Sequence, residues 1–360
     1  MSIAPKSAPL LRLRSQERKH RRSFRLLKMR VIVATLSVLF ALAISEIALR
    51  AFNYRPGTMD AEMYVGNDNE QLPYKLRPNY HGYCAGEEVN TDGDGYRIVS
   101  PTYDELFANK NLTPAKEILL LGDSGVFGFG LSDRETIASQ LQELSFSKGL
   151  NYRIRNIGVS GYTSWNELAA AREYLNRHSA TDIVVLYMPN DLTLENDYFG
   201  IGKGKTASFS RNEAALHRIT GSLYSHLYIS YLVSDGIKRL ASRVNPVQEA
   251  LAFDEERSQK TIDYSIQALL GIRELCEEKN IRFTVGIYRD VAYFADPRGW
   301  LQYEEAIARN LTRHGIKSLV VKSHIESLTP EQVRVSWNDP HPSAKAAGLI
   351  AEEILKAVWE

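Results

Sequence analysis

The run Ile118-Leu-Leu-Leu-Gly-Asp-Ser-Gly-Val-Phe-Gly-Phe-Gly130 is the most informative part of this 360-residue sequence. Four consecutive aliphatic residues followed by Gly122 are typical of a strand buried on both faces of a parallel sheet. Such sheets bind ligands beyond the carboxyl ends of their strands, where Asp123 and Ser124 stand here. The hydroxyl of Ser124 is therefore a candidate nucleophile, provided that the chain supplies a base and oxyanion donors elsewhere.

Strand-like and helix-like segments alternate from residue 115 onwards. We predict strands over residues 118–121, 152–157, 182–187, 281–288 and 318–321. We predict helices over residues 134–144, 164 to about 177, 259–279, 301–314 and 344–358, with Ser343 as the cap of the last one. This alternation favours an α/β fold built on a doubly wound parallel sheet with right-handed crossovers, over residues 115–360.

The alternation is interrupted at about residues 192–256. The first part of this stretch is polar and rich in glycine, whereas residues 222–240 carry aromatic and aliphatic side chains at helical spacing. We interpret it as an insertion. It either covers the active-site edge of the sheet or forms a helical side layer without contact with substrate.

The N-terminus combines a basic segment with an apolar one. Residues 1–30 carry ten Lys and Arg side chains and only one acidic residue, Glu17, whereas residues 31–50 are almost entirely apolar apart from Ser45, Glu46 and Arg50. About 20 apolar residues cross a bilayer as a helix, and basic flanks stay in the cytoplasm. We therefore predict a cytoplasmic tail, a transmembrane helix at 31–50, and a remainder outside the cytoplasm, facing the periplasm from a bacterial inner membrane. The alternative is a signal peptide cleaved near Ala41-Leu42-Ala43.

The charge and cysteine content of the chain limit the partners and cofactors that it is expected to bind. The formal net charge is +1, and because the basic residues are concentrated before residue 31, the rest of the chain is acidic. An acidic domain gives no reason to expect nucleic-acid binding. Cys84 and Cys276 are the only cysteines, so they form no metal cluster, and the sequence leaves open whether they pair as a disulfide. We expect neither a metal ion nor another cofactor.

Residues 51–114 are rich in Tyr, Pro, Asn and Gly, and we interpret them as an extracytoplasmic extension with short strands and turns. Within it, Asn90-Thr-Asp-Gly-Asp-Gly-Tyr-Arg97 superficially resembles a calcium-binding loop. Counted from Asp92, however, the position that needs a bidentate Glu holds Tyr103. A hairpin turn is the better interpretation.

Further polar residues follow the other predicted strands. Asn156-Ile-Gly-Val-Ser-Gly161 follows the second strand, Asn190-Asp191 the third, and Asp339-Pro-His341-Pro stands before the last helix. Because the carboxyl ends of parallel strands meet at one edge of a sheet, these segments are expected to lie near Ser124.

Together these four segments resemble the motifs of the SGNH hydrolases, also called GDSL-type esterases, over roughly residues 116–360. The resemblance implies a flavodoxin-like fold, with Ser124 as nucleophile, His341 as general base and acid, and Asp339 as the carboxylate that orients His341. It also implies an oxyanion hole formed by the backbone N–H groups of Ser124 and Gly161 and the side-chain amide of Asn190. Asp123 and Asp191 would have supporting roles.

The sequence departs from the family pattern in two places. Met188 stands two positions before Asn190, where a Gly is common. Asn338 stands three positions before His341, where the family often carries Asp, and Asp339 stands two before. We favour Asp339 as the partner of His341 because only a carboxylate stabilises an imidazolium well.

The function expected from these observations is that of a membrane-anchored, extracytoplasmic serine esterase acting on O-acyl esters of envelope glycans or lipids. The same residues would serve an O-acyltransferase if a sugar hydroxyl replaced water as the acceptor. A further alternative is a catalytically inactive binding or assembly factor of the cell envelope.

Overall fold

The computed structural model describes residues 8–52, 54, 61–108, 113–192, 227–229, 232 and 255–359. The chain divides into two units, Met1–Phe52 and Asn53–Glu360. Most of the insertion predicted at 192–256, including nearly all of its helical part at 222–240, lies outside the described residues, so neither interpretation of it is tested.

The first unit contains one long helix, α1 (Ala8–Ala51). Its part from Phe24 to Ala51 is long and apolar enough to cross a membrane, and none of the side chains in its most apolar window is buried. A helix that carries apolar side chains all round and exposes them is typical of a segment surrounded by lipid. The helix begins well before residue 31 because the basic residues that precede the apolar stretch are themselves good helix formers.

The second unit begins with small antiparallel elements. Strands β1 and β2 pair with each other, as do β3 and β4, and a short helix α2 follows. Their bounds are β1 (Tyr64–Gly66), β2 (Tyr74–Leu76), β3 (His81–Cys84), β4 (Glu87–Asn90) and α2 (Tyr103–Phe107). The predicted turn after β4 is present: Thr91 pairs with Arg97, and the carboxylate of Asp92 accepts hydrogen bonds from the backbone N–H groups of Asp94 and Tyr96.

Five parallel strands form the central sheet, in the order β6-β5-β7-β8-β9. They are β5 (Lys116–Leu121), β6 (Tyr152–Asn156), β7 (Asp182–Tyr187), β8 (Arg282–Tyr288) and β9 (Ser318–Val321). Numbered within the sheet, this order is the flavodoxin-like arrangement of a doubly wound fold, which confirms the predicted fold class.

Helices and a last hairpin complete the unit. The helices are α3 (Ser124–Phe127), α4 (Ile137–Ser147), α5 (Ser164–Leu175), α6 (Glu255–Lys279), α7 (Pro297–Arg313), α8 (Ser323–Ser327), α9 (Pro330–Val333) and α10 (Ala344–Trp359). Strands β10 (Arg334–Ser336) and β11 (Asp339–Pro342) pair as an antiparallel hairpin. The segment that carries Asp339 and His341 before the last helix is therefore a strand.

Three predicted helix starts were wrong. Helix α6 begins at Glu255 rather than at Gln259, and in the other two cases a capping side chain gives the reason. Helix α4 begins at Ile137 rather than at Arg134 because Thr136 accepts a hydrogen bond from the backbone N–H of Ser139. Helix α7 begins at Pro297 because Asp296 accepts from the backbone N–H of Gly299. The predicted cap of α10 is present, with the N–H of Ala346 donating to Ser343 Oγ at 3.2 Å.

Side chains alternate between the two faces of the sheet. Leu119 and Leu121 of β5 pack with apolar residues of α5, α6 and α7 on one face. Ile118 and Leu120 pack with residues of α4 and α10 on the other. Because both faces of β5 are covered at Ile118–Leu121, these positions are all apolar, and this explains the continuous aliphatic run that the sequence shows before Gly122. Cys84 and Cys276 are both buried and form no disulfide.

Candidate active site

The turn after β5 places Ser124 at the edge of the sheet. Asp123 is the residue before α3, and its carboxylate accepts a hydrogen bond from the backbone N–H of Gly125 at 2.7 Å. This bond lets the chain pass from strand to helix within two residues, so that Ser124 becomes the first residue of α3. The helix ends after one turn at Gly128, whose φ of +86° lies in the left-handed region that favours glycine.

The structure brings Ser124, His341 and Asp339 together in one chain of hydrogen bonds. Ser124 Oγ lies 2.9 Å from His341 Nε2, although 217 positions separate the two residues in the sequence. His341 Nδ1 lies 2.6 Å from Asp339 Oδ1, which also accepts the backbone N–H of His341 at 3.0 Å. In this geometry the imidazole is placed to accept the serine proton while the carboxylate holds the opposite side of the ring. Asn338 instead bonds with Ser336.

The surroundings of His341 set its basicity. Burial alone lowers the pKa of this imidazole, but the hydrogen bond that it donates to Asp339 and the charges of Asp339, Asp123 and Asp290 outweigh burial and leave the pKa raised above its ordinary value. The ring of Phe129 stacks on the imidazole, with centroids 4.6 Å apart. The imidazolium formed when a serine proton is taken up is thus stabilised by carboxylates and held flat against an aromatic ring.

Two backbone N–H groups near Ser124 are available to an oxyanion. Within the described part of the chain, the N–H groups of Ser124 and Gly161 donate to no protein acceptor, and both residues line the same cavity. Gly161 has φ of +81°, a conformation that other residues rarely adopt. Its loop is fixed against α3 by Asn156, whose side chain donates to the carbonyl of Val126 at 2.9 Å and accepts from the N–H of Gly158 at 3.0 Å.

The third expected donor, Asn190, stands in a short 3₁₀ helix after β7 and lines the cavity too. Its Nδ2 donates to the carbonyl of Tyr162 at 2.8 Å. The amide is therefore fixed by the loop that carries Gly161. Met188, in the place of the common Gly, is buried against Gly125, where a Cβ would come within 2.2 Å of the methionine methyl group.

Two further carboxyls lie beneath the nucleophile turn. Burial raises the pKa of Asp123 to about 6, an effect reinforced by the charge of Asp290. Burial likewise raises the pKa of Asp191 to about 7, although Asp191 accepts hydrogen bonds from Ser164 Oγ at 2.6 Å and from the N–H of Met188 at 2.7 Å. Asp191 joins β7 to α5 and, unlike Asp123, does not line the cavity.

A cavity of about 450 Å³ opens in front of Ser124. Its walls are formed by the turn after β5, the loop with Gly161, the start of the 3₁₀ helix with Asn190, the end of β8, and β11; the lining residues are Asp123, Ser124, Gly125, Phe129, Ser160, Gly161, Met188, Pro189, Asn190, Tyr288, Asp290, Pro340, His341 and Pro342. Among the residues that the structure describes, no group of three or more His, Cys, Asp or Glu side chains could hold a metal ion. The arrangement is suited to acyl transfer through a serine.

Sequence reasoning missed Arg97, which lies in the predicted extension. Its guanidinium is fully buried and donates to the carbonyls of Phe127, Gly128 and Leu131 at 2.6–2.7 Å and to Asp133 at 3.1 Å. Its distance in sequence from Ser124 gave no signal of this contact. Phe129, Tyr288 and Asp290 were also missed. Asp290 follows a predicted strand, as Ser124, Gly161 and Asn190 do, and that position was an available signal.

No family model and no curated protein matches the sequence. Among solved structures, the acetylxylan esterase Axe2 from Geobacillus stearothermophilus is similar at 14% identity and a TM-score of 0.42, over 68% of this chain and 94% of that one. The psychrotrophic esterase EstA from Pseudoalteromonas sp. is similar at 15% identity and a TM-score of 0.41, over 68% and 97% of the two chains. A GDSL-like lipase from Bacteroides thetaiotaomicron is similar at 15% identity and a TM-score of 0.38, over 71% and 97%.

Proposed function

We propose that this chain is a membrane-anchored serine esterase that cleaves O-acyl esters through an acyl-Ser124 intermediate. The observation that supports the proposal is the continuous contact from Ser124 Oγ through the imidazole of His341 to Asp339, at 2.9 Å and 2.6 Å, on the wall of an open cavity. A structural serine would need no such base, and a buried Asp–His pair without a substrate role would not line a cavity.

The geometry supports a two-step reaction. In the first step Ser124 Oγ attacks the ester carbonyl while His341 Nε2 takes the hydroxyl proton. The oxyanion forms beside the N–H groups of Ser124 and Gly161 and the amide of Asn190. The C–O bond to the alcohol then breaks, and His341 gives its proton to the leaving oxygen. Asp339 keeps the imidazole in the required tautomer and stabilises its charged form.

In the second step water replaces the alcohol. His341 takes a proton from the water as its oxygen attacks the acyl carbon, the same donors receive the oxyanion, and the bond to Ser124 Oγ breaks. The serine recovers its proton from His341, and the acyl group leaves as a carboxylic acid. A sugar hydroxyl in the place of water would give an O-acyltransferase with the same residues.

We further propose that residues 31–50 anchor the chain in a bacterial inner membrane, with residues 1–30 in the cytoplasm and residues 51–360 in the periplasm. Ten basic residues before residue 31 and the apolar helix that follows support this orientation. In that location the esters within reach are those of envelope glycans and lipids. The extension at 51–114 and the domain at 115–360 would then both lie on the periplasmic side of the membrane.

The proposal is tested with the full chain, purified in a mild detergent, and 4-nitrophenyl acetate as a small probe ester. We expect turnover that falls by at least about 1,000-fold in Ser124→Ala. The matched control is Ser145→Ala, because Ser145 is a buried serine whose hydroxyl donates to the carbonyl of Leu141 within α4. Turnover no greater than that of Ser124→Ala would overturn the proposal and favour a binding or assembly role.

The acceptor is identified by product analysis. An acetylated methyl hexoside is supplied as acyl donor together with a non-acetylated oligosaccharide, and products are separated by mass. Free acetate alone indicates hydrolysis, whereas acetylated oligosaccharide indicates transfer to a sugar hydroxyl.

A further inference from the structure

The carboxyl end of β8 contributes two polar side chains to the cavity that the proposed reaction does not use. Tyr288 is the last residue of β8, and Asp290 follows two positions later at the start of a short 3₁₀ helix. Both line the same cavity as Ser124 and His341. They are candidates for contact with the part of the substrate that lies beyond the reacting carbonyl.

The hydroxyl of Tyr288 has no hydrogen-bond partner among the described residues. Tyr288 is 2% exposed, and its ring stacks on the imidazole of His324 with centroids 4.8 Å apart, so the side chain is fixed in place. Because buried polar groups in folded proteins are nearly always satisfied, such a hydroxyl on a residue that lines a cavity points to a ligand group that completes it.

Only one of the two carboxylate oxygens of Asp290 accepts a hydrogen bond from a described residue. Oδ1 accepts the backbone N–H of Ala292 at 2.8 Å, which fixes the carboxyl at the start of the 3₁₀ helix. Oδ2 receives no hydrogen bond from a described residue. The nearby charge of Arg334 acts on this carboxyl, but Arg334 does not line the cavity. The carboxylate of Asp290 is therefore a fixed acceptor on the same cavity wall as Tyr288, close enough to His341 for the two charges to interact.

The charges on the cavity wall indicate whether the preferred substrate is neutral or charged. Among the described lining residues, the ionisable groups besides Tyr288 are the carboxyls of Asp123 and Asp290 and the imidazole of His341, with no Lys or Arg. A phosphate or carboxylate on the substrate would lie beside like charges in a partly desolvated space, with no cation to pair with it. A neutral group rich in hydroxyls would instead donate to Asp290 and bond with Tyr288.

We propose that Tyr288 and Asp290 form a hydroxyl-binding subsite for the alcohol part of the ester, and that the preferred substrate is an O-acyl ester of a neutral carbohydrate. This inference rests on the proposed esterase function and selects one of its two substrate classes, neutral glycans over anionic lipids. Tyr288 and Asp290 are specificity-determining residues in it. Neither takes part in the proton transfers between Ser124 and His341.

The test compares two esters of the same acyl group on the full chain in detergent. Methyl glucoside carrying one O-acetyl group offers free hydroxyls to the subsite, whereas 4-nitrophenyl acetate offers none. We expect the ratio of kcat/KM for the sugar ester to that for 4-nitrophenyl acetate to fall about 5-fold in Tyr288→Phe and about 10-fold or more in Asp290→Asn. Rates are measured at alkaline pH, where His341 is neutral, so that removal of the Asp290 charge does not alter the fraction of active base.

Matched controls exist for both variants. Tyr303→Phe also removes a buried hydroxyl that has no partner among the described residues, and Asp296→Asn also alters a carboxylate that caps a helix, but neither residue lines the cavity. Both controls are expected to keep the wild-type ratio. A ratio that stays within twofold of wild type in Tyr288→Phe and Asp290→Asn overturns the subsite, as does failure to cleave the sugar ester while 4-nitrophenyl acetate is cleaved. Failure to cleave either ester above the level of Ser124→Ala overturns the proposed function itself.

A second comparison tests the charge argument. The mono-acetyl ester of methyl glucuronide differs from that of methyl glucoside chiefly by one carboxylate. We expect the wild type to prefer the neutral ester by about 5-fold or more in kcat/KM, and Asp290→Asn to narrow that preference. Equal rates on the two esters, or a preference for the anionic one, would contradict the proposal.

Discussion

The ring of Phe129 stacks on the imidazole of His341, with centroids 4.6 Å apart and an angle of 29° between the ring planes. Phe129 belongs to the segment that leads away from the nucleophile turn, and the buried guanidinium of Arg97 binds the carbonyls on either side of it. A residue of the extension thus fixes the loop that holds the base of the proposed reaction. Arg97 is a positioning residue, since it contacts none of the reacting atoms.

Arg97→Lys should lower kcat more than it changes KM. A lysine has three donors on one atom and cannot reach carbonyls on several sides, so some of the bonds to Phe127, Gly128 and Leu131 are lost. We expect kcat on 4-nitrophenyl acetate to fall about 10-fold or more, as is usual when a group that orients the base is misplaced. Thermal unfolding followed by circular dichroism gives the accompanying loss of stability.

The control for Arg97 is Arg153→Lys, because Arg153 forms partly exposed ion pairs with Asp104 and Glu117. That variant should keep its kcat. If Arg97→Lys keeps a wild-type kcat at temperatures well below its unfolding transition, the residue has a structural role only.

Activity should depend on pH through His341. Its pKa is raised above the ordinary value despite burial, because the hydrogen bond and charge of Asp339 favour the protonated ring. The base must be neutral to take the serine proton, so kcat/KM should fall as the pH is lowered through that raised pKa. A flat profile across this region would contradict the role of His341.

Asp339→Asn separates the pKa of His341 from its orientation. Loss of the carboxylate should move the acid limb of the profile to lower pH, and loss of the correct tautomer should lower kcat by about 1,000-fold or more. Asn338→Ala is the neighbouring control, since Asn338 bonds Ser336 rather than His341. An acid limb that moves to higher pH in Asp339→Asn would show that the partner of His341 was assigned wrongly. A larger loss of kcat in Asn338→Ala than in Asp339→Asn would show the same.

Asn190→Ala should weaken the oxyanion site. The side chain lies on the cavity wall, and the bond from its Nδ2 to the carbonyl of Tyr162 holds the amide in place. We expect kcat to fall about 100-fold with KM changed much less, because the oxyanion exists only in the transition state. Asn310→Ala removes a side-chain bond within α7 and is the control. An equal effect in the two variants would leave Asn190 without a role in the reaction.

Stability should fall as the pH rises across the range in which Asp191 titrates. Burial raises its pKa in the folded chain from 3.8 to about 7, so the folded state holds a proton that the unfolded state releases. The stabilisation from the protonated form is complete below about pH 4 and is lost as the pH rises through about 7. Asp123 acts in the same direction, with a folded pKa of about 6.

Asp191→Asn removes this titration and keeps the shape of the side chain. Its oxygen can still accept from the N–H of Met188 and its amide can donate to Ser164 Oγ. The melting temperature, measured by circular dichroism from pH 4 to pH 8, should therefore fall less steeply in the variant than in the wild type. Parallel curves for the two proteins would contradict the raised pKa of Asp191.

The sheet was predictable because its signal is local. A strand covered on both faces must be apolar at every position, as in Ile118–Leu121, and a helix covered on one face must repeat its apolar residues with the helical period. Strand β7 was predicted with the bounds that it has in the structure. Helix starts were less predictable, because the caps Thr136 and Asp296 act through single hydrogen bonds that leave little trace in the periodicity.

Four segments of the site could also be identified from the sequence, because each follows a strand or precedes the last helix. Arg97 could not, since an arginine in an irregular, polar stretch gives no sign that it will be buried against the carbonyls of a loop some 30 positions away. The unsatisfied hydroxyl of Tyr288 was equally hidden, because a tyrosine at a strand end is ordinary until its neighbours are known.

The sequence by itself determined the class of fold and the side chains available for acyl transfer, because burial pattern and residue chemistry are written along the chain. Only the tertiary structure decided which of those side chains meet: that Ser124 and His341 come within 2.9 Å, that Asp339 rather than Asn338 faces the imidazole, and that Tyr288 and Asp290 share their cavity. The physical reason is that hydrogen bonds and charges act over a few ångströms of space, whatever the distance along the sequence, and the packing of the sheet and its loops sets that space.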